Sequence, residues 1–145
     1  IYSPWQFLYW YDRPENSPGA HKGAGNSTNF ILEVPELTFF DQMPTVWDNT
    51  KVLSGYPGEH AVVARRSGDT WFIGALNGML ERDSEISFDF LDPNQAYTAT
   101  IFTDDEEVKT HSRVALETRN LTSKDVMNFK LGKHKGMAMV IKSTK

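Results

Sequence analysis

From His60 onward, apolar and polar residues alternate with a period of two, interrupted by turn residues, and this pattern leaves few folds open. "HAVVARR" (60–66) and "TWFIGAL" (70–76) flank "SGD", a short glycine-containing hairpin loop. "EISFDF" (85–90) sets Ile86, Phe88 and Phe90 on one face, which turns Asp89 outward. "AYTATIF" (96–102) does the same with Tyr97, Ala99 and Ile101. "SRVALETRNL" (112–121) follows the acidic turn "DDEE", and "VMNFKL" (126–131) and "GMAMVIKS" (136–143) complete the series. Strands this short, with turn signals about every ten residues, predict an all-β fold: an antiparallel β-sandwich of about 7–8 strands. A chain of 145 residues is long enough to bury one core of that kind.

The N-terminal third reads differently. Ser3 and Pro4 precede "WQFLYWY" and form a helix start, with Ser3 as cap and Pro4 in the first helical position. Pro14 biases Arg13 out of the helical region, so this helix ends near Asp12. A short helix apolar on every side needs protein all round it. "ENSPGAHKGAGNSTN" (15–29) has the composition of a flexible loop, and "PELTFFDQMP" (35–44) reads as a second short helix between two prolines. "TVWDNTKVLSGYPGEH" (45–60) reads as an extended, turn-rich connector. The expected division is therefore 1–44 for the helical piece and loop, and 45–145 for the sandwich.

The chemistry-bearing residues form no constellation. A net charge of −4 gives no footprint for nucleic acid or an anionic membrane. No window approaches the roughly 20 apolar residues of a membrane-spanning helix. The absence of cysteine removes disulfides, zinc thiolates and thiol nucleophiles together. "PGAHKGAGNST" misses the spacing of a phosphate-binding loop, and no strand is expected before it. His21, His60, His111 and His134 are scattered, with no pair at metal-ligand spacing. Asp104, Asp105, Glu106 and Glu107 lack the alternation and glycine of a calcium loop, so they read as a charged hairpin tip. No serine sits in a nucleophile elbow, and no carboxylate has an apolar setting suited to acid catalysis. Asn26 and Asn120 fit the glycosylation acceptor pattern, which matters only in a eukaryotic source. No catalytic residue and no metal ligand is assigned.

The segment "MPTVWDNTKVLSGYPGEHAVVARRSGDTWFIGAL" (43–76) resembles the C-terminal part of the family 97 glycoside hydrolases, bacterial α-glucosidases and α-galactosidases. The shared pattern is Pro-x-x-Trp-Asp-x-Thr, a Gly before an Ala-Arg strand, then Trp-Phe-x-Gly. "SPWQFLYWYDRP" resembles the segment closing the family's catalytic barrel, while "FLDPNQAYTATIFTDD" and "KGMAMVI" resemble the last strands of its sandwich. The 15–33 loop is longer than the family pattern.

The resemblance implies a parent enzyme of three parts: an N-terminal β-sandwich, a (β/α)₈ barrel and this small C-terminal sandwich. The active site would sit at the barrel's C-terminal face. The catalytic carboxylates and calcium ligands lie upstream of these residues, and none is carried over. The parent would hydrolyse α-linked glucosides or galactosides, with calcium beside the scissile bond and a periplasmic or secreted location. "QFLYWYDRP" is similar to the retaining, galactosidase-like members. The aromatic helix is then the end of the barrel, and the sandwich a non-catalytic domain that packs on its own catalytic barrel and supports stability or homo-oligomerisation. Trp47, Asp48, Arg65 and Trp71 are the residues expected to fix the connector and the interdomain face. Two alternatives stay open. A carbohydrate-binding module would need two or three exposed, coplanar Trp or Tyr rings. An independent enzyme would need an activated group in a pocket.

Overall fold

The computed structural model describes residues 13–14, 30–31, 35, 37–109 and 113–144. The aromatic helix and the 15–29 loop expected from sequence lie outside the described residues. The chain divides into two compact units, one of Ile1–Pro4 with Val46–Lys145 and one of Trp5–Thr45.

In the smaller unit, two-residue strands β1 (Arg13–Pro14) and β2 (Phe30–Ile31) pair in parallel. Helix α1 (Leu37–Asp41) follows, and the Thr38 amide and hydroxyl both donate to the Pro35 carbonyl at its start. Phe39 is buried and meets Phe40 edge to face. The helix lies within the 35–44 segment where the two prolines place it.

The larger unit holds eight antiparallel strands: β3 (Asn49–Tyr56), β4 (His60–Ser67), β5 (Thr70–Asn77), β6 (Arg82–Ser87), β7 (Tyr97–Asp104), β8 (Val114–Leu121), β9 (Val126–Leu131) and β10 (Gly136–Ser143). Six of them form one sheet in the order β3, β4, β5, β10, β7, β8, while β6 and β9 pair as a second sheet. The expected sandwich is the observed fold.

The core lies on one face of the large sheet. Val62 and Ala64 of β4, Trp71, Ile73 and Ala75 of β5, Ala99 and Ile101 of β7, and Met139 and Ile141 of β10 alternate inward. Ile86, Phe88, Met127 and Leu131, from the small sheet and its extension, pack with them. Phe88 is 1% exposed, and burying such a ring contributes about 1.5–3 kcal/mol.

The turns follow their residues. Tyr56-Pro57-Gly58-Glu59 closes with a Glu59 amide bond to the Tyr56 carbonyl at 3.0 Å. Pro57 presets φ at the first central position, and Gly58 supplies φ 81° at the second, as a type II turn requires. Ser67 pairs with Thr70 across a two-residue loop whose first member, Gly68, has φ 57°, the pattern of a type II′ hairpin.

Two boundaries differ from the sequence reading. Residues 49–56, expected as part of a connector, form the edge strand β3. It faces solvent over most of its length, and a bulge between Val52 and Ser54 breaks its period, so alternation did not mark it. β6 spans Arg82–Ser87 rather than 85–90. Beyond it, the Phe88 amide still donates to the Asp125 carbonyl at 3.2 Å, and Phe88 to Leu91 form a turn, closed by the Leu91 amide on the Phe88 carbonyl, that keeps Phe88 and Leu91 buried.

Candidate functional site

The connector enters the sandwich at one end of the β3–β4 hairpin, and three of the four expected residues meet there. The Asp48 amide donates to the Arg66 carbonyl at 2.8 Å. Its carboxylate accepts from the Gly68 amide at 2.7 Å, while Arg66 donates to the Gly68 carbonyl at 2.7 Å. Asp48 thereby ties the connector to the β4–β5 turn. The Arg66 guanidinium lies 4.0 Å from the same carboxylate, both partly exposed, so the ion pair adds little beyond the hydrogen bonds.

One residue earlier, the Trp47 ring packs edge to face on Phe72, with centroids 5.4 Å apart. The Arg65 guanidinium sits 4.8 Å from the Trp47 ring centroid and donates through Nε to Thr50 at 3.1 Å. Phe72 and Arg65 are register partners on β5 and β4, so both project from the sheet face opposite the core. The result is a cation over an aromatic ring on an aromatic floor.

Trp71 lies elsewhere. Strand parity turns it to the core face, where it is 6% exposed and meets Phe90 at 4.7 Å. Phe72 was the residue that sequence reasoning missed. Its signal was the parity of "TWFIGAL", in which Trp71 and Phe72 must face opposite ways.

The acidic loop after β7 is engaged in its own architecture. Asp104 accepts from the Gly136 amide at 2.9 Å, and Asp105 accepts from the Glu107 amide at 2.9 Å. Lys135 donates to Glu106 at 2.8 Å, which holds the Glu106 carboxyl below its ordinary value and the Lys135 ammonium above its own. Among the described residues, no three His, Asp or Glu side chains gather as a metal site. His60 bonds Ser54 at 2.9 Å, and the His134 backbone amide donates to the Gly78 carbonyl at 2.8 Å.

The described residues of the larger unit thus form a two-layer antiparallel sandwich whose best-formed polar cluster anchors an incoming connector. Residues 46–142 match the family described as "Glycosyl-hydrolase 97 C-terminal, oligomerisation", and the chain belongs to that family.

The chain is 40% identical over 77 residues to the "Retaining alpha-galactosidase" of Bacteroides thetaiotaomicron, a match covering 53% of this chain and 12% of that protein. A solved structure of a "Glycoside Hydrolase Family 97 enzyme in complex with Acarbose from Pseudoalteromonas sp. strain K8" superposes with a TM-score of 0.67 at 29% identity, covering 75% of this chain and 18% of the other. A solved "beta-arabinopyranosidase" superposes with a TM-score of 0.61 at 26% identity, over 77% of this chain and 18% of that one. The sequence thus spans a small fraction of the relatives it matches.

Proposed function

We propose that this chain is the non-catalytic C-terminal domain of a larger family 97 α-glycosidase, and that it packs on the catalytic barrel and joins subunits to one another. The observation that carries this reading is the family match over residues 46–142, whose description names oligomerisation. The retaining α-galactosidase relative supports an α-galactoside as the parent's substrate. Trp47, Asp48 and Arg65 fix the angle at which the connector leaves the sandwich, and so set how the domain is presented to the barrel. A calcium ion in the parent enzyme is part of the same reading and rests on the family alone, and its ligands would lie upstream, in the barrel and the N-terminal domain. A periplasmic or secreted location belongs to the same reading and rests on the family alone.

The carbohydrate-binding alternative has less support. Stacking on a sugar face needs open rings, and among the described Trp and Tyr residues Tyr56 alone is mostly exposed, at 61%.

The test is deletion of residues 46–145 from the longer protein, with sedimentation and aryl α-galactoside hydrolysis measured together. The expected outcome is loss of the assembled state, with bond cleavage still detectable. Hydrolysis by this chain alone, abolished by replacing one carboxylate, would overturn the non-catalytic reading. An unchanged assembly after deletion would overturn the subunit-joining one.

A further inference from the structure

A two-strand layer cannot cover a six-strand one, so part of the core face of the large sheet stays open. At the connector end, strand register carries the core-facing row from Trp71 of β5 through Arg66 of β4 to Asn49 of β3. Lys51, the partner of Ala64, projects from the same face. Along this row burial gives way to exposure: Trp71 is buried, Arg66 half-buried, and Asn49 and Lys51 are exposed. Asp69 of the β4–β5 turn, and Asp92 and Gln95 from the loop before β7, line the same cleft, which has a volume of about 330 Å³. Trp71, Phe90 and Tyr97 supply its aromatic lining.

The cleft is held in shape. The Tyr97 hydroxyl, on a side chain only 5% exposed, accepts from the Asp92 amide at 3.0 Å. The Asp92 carboxylate accepts from the Asn94 amide at 2.8 Å, and the Gln95 amide donates to the Asp92 carbonyl at 3.2 Å. The Asp48 bond to Gly68 fixes the turn that carries Asp69. Walls set in this way lose little conformational freedom when a ligand enters. The polar groups they present are unengaged. Among the described residues, the side chains of Asn49, Lys51, Asp69 and Gln95 make no hydrogen bond or ion pair, and the Tyr97 hydroxyl proton has no acceptor. Such groups are ordinarily solvated one by one, but here they converge on one concavity lined by aromatic rings, the composition of a small-molecule site.

We propose that this cleft binds a neutral sugar, of monosaccharide or disaccharide size, on the C-terminal domain itself. The charge balance selects the ligand. Lys51 and Arg66 face Asp69 and Asp92 across the lining, so an anion meets two carboxylates and a cation meets two cations. A neutral, hydroxyl-rich molecule can use both signs, because each hydroxyl donates to a carboxylate and accepts from an ammonium, guanidinium or amide group. Trp71 and Phe90, edge to face at 4.7 Å, offer apolar surface for the C–H groups of a sugar ring. The volume lies at the small end of the range for ligand sites, which suits a short unit and not a long chain. This is a pocket that recognises its ligand through polar groups, distinct from the open stacking platform considered above, and it does not rest on the subunit-joining reading.

The experiment titrates this chain with galactose, glucose and maltose and follows ¹⁵N–¹H correlation spectra. Saturable shifts are expected at the amides of Gly68, Asp69, Asp92 and Gln95 and at the Trp71 indole. Asp69→Ala and Lys51→Ala are each expected to weaken binding at least about fivefold, while Glu117→Gln on edge strand β8 leaves it unchanged. Both cleft positions are exposed, and the wild-type shift map reports even if one variant fails to fold. Absence of saturable shifts in the cleft up to about 50 mM sugar, well above a millimolar Kd, would overturn the proposal. So would sugar binding that neither variant weakens, which would place the site elsewhere. Galacturonate and glucosamine, the charged counterparts, are expected to bind more weakly than the neutral sugars. Tighter binding of either would mean that one sign of charge governs the cleft, and would overturn the neutral assignment.

Discussion

His134 is held at φ 57°, in the turn where the Lys135 amide bonds the Gly132 carbonyl at 3.1 Å. A left-handed conformation costs a non-glycine residue about 1–2 kcal/mol, so this side chain sits where glycine belongs. His134→Gly is expected to raise the melting temperature by about 2–6 °C in calorimetry, and an unchanged or lowered value would show the strain to be relieved locally. Glu106 and Lys135 make a second residue-scale case, with opposite signs for the two partners. Chiefly through the Lys135 hydrogen bond, Glu106 has a lowered pKa, so its contribution is present above the ordinary value of 4.5 and fades as pH falls through the lowered one. The raised pKa of Lys135, chiefly from the same bond, gives a contribution present below 10.5 that fades as pH climbs through the raised one. Both groups are exposed, so the effect is small and screened by salt. In thermal melts at low salt, the gap between wild type and Glu106→Gln should stay level between those limits and close in acid. A gap that persists in acid would place the effect elsewhere.

Among the elements, the β4–β5 hairpin depends on a residue outside itself, because Asp48 supplies the acceptor for the Gly68 amide. Asp48→Ala should cost about 1 kcal/mol, seen in urea as a lower midpoint with an unchanged slope. A changed slope would mean that the connector end unravels. The elements also show what the sequence made legible. β4, β5, β7 and β10 were readable because each buries one face, so burial wrote a period of two into them. β3 was not, because an edge strand that is mostly exposed imposes no such pattern. The anchor site was half readable. Trp47 and Asp48 stood out on a connector, but Phe72 was hidden beside Trp71 in a run where both faces of β5 are apolar.

For the whole molecule, stability should fall from the centre of the large sheet outward. β5 and β10 are each paired on both sides, whereas β3 and β8 are edges and β6 and β9 have only each other. Native-state hydrogen exchange is expected to find the slowest amides in β5 and β10 and faster ones in β3, β8, β6 and β9. Equal protection throughout would mean that the sandwich opens only as one unit. The same strand order bears on how the domain is made. Among the described strands, β10 is the only one that pairs with both the β3–β4–β5 half of the sheet and the β7–β8 half, and it is the last of them to be synthesised. A ribosome that has delivered everything before Gly136 has made the β6–β9 pair and both parts of the large sheet, but each part keeps an open border that invites wrong partners. A premature stop at that point would remove the strand that pairs the two parts of the large sheet, a larger loss than a slightly shorter domain.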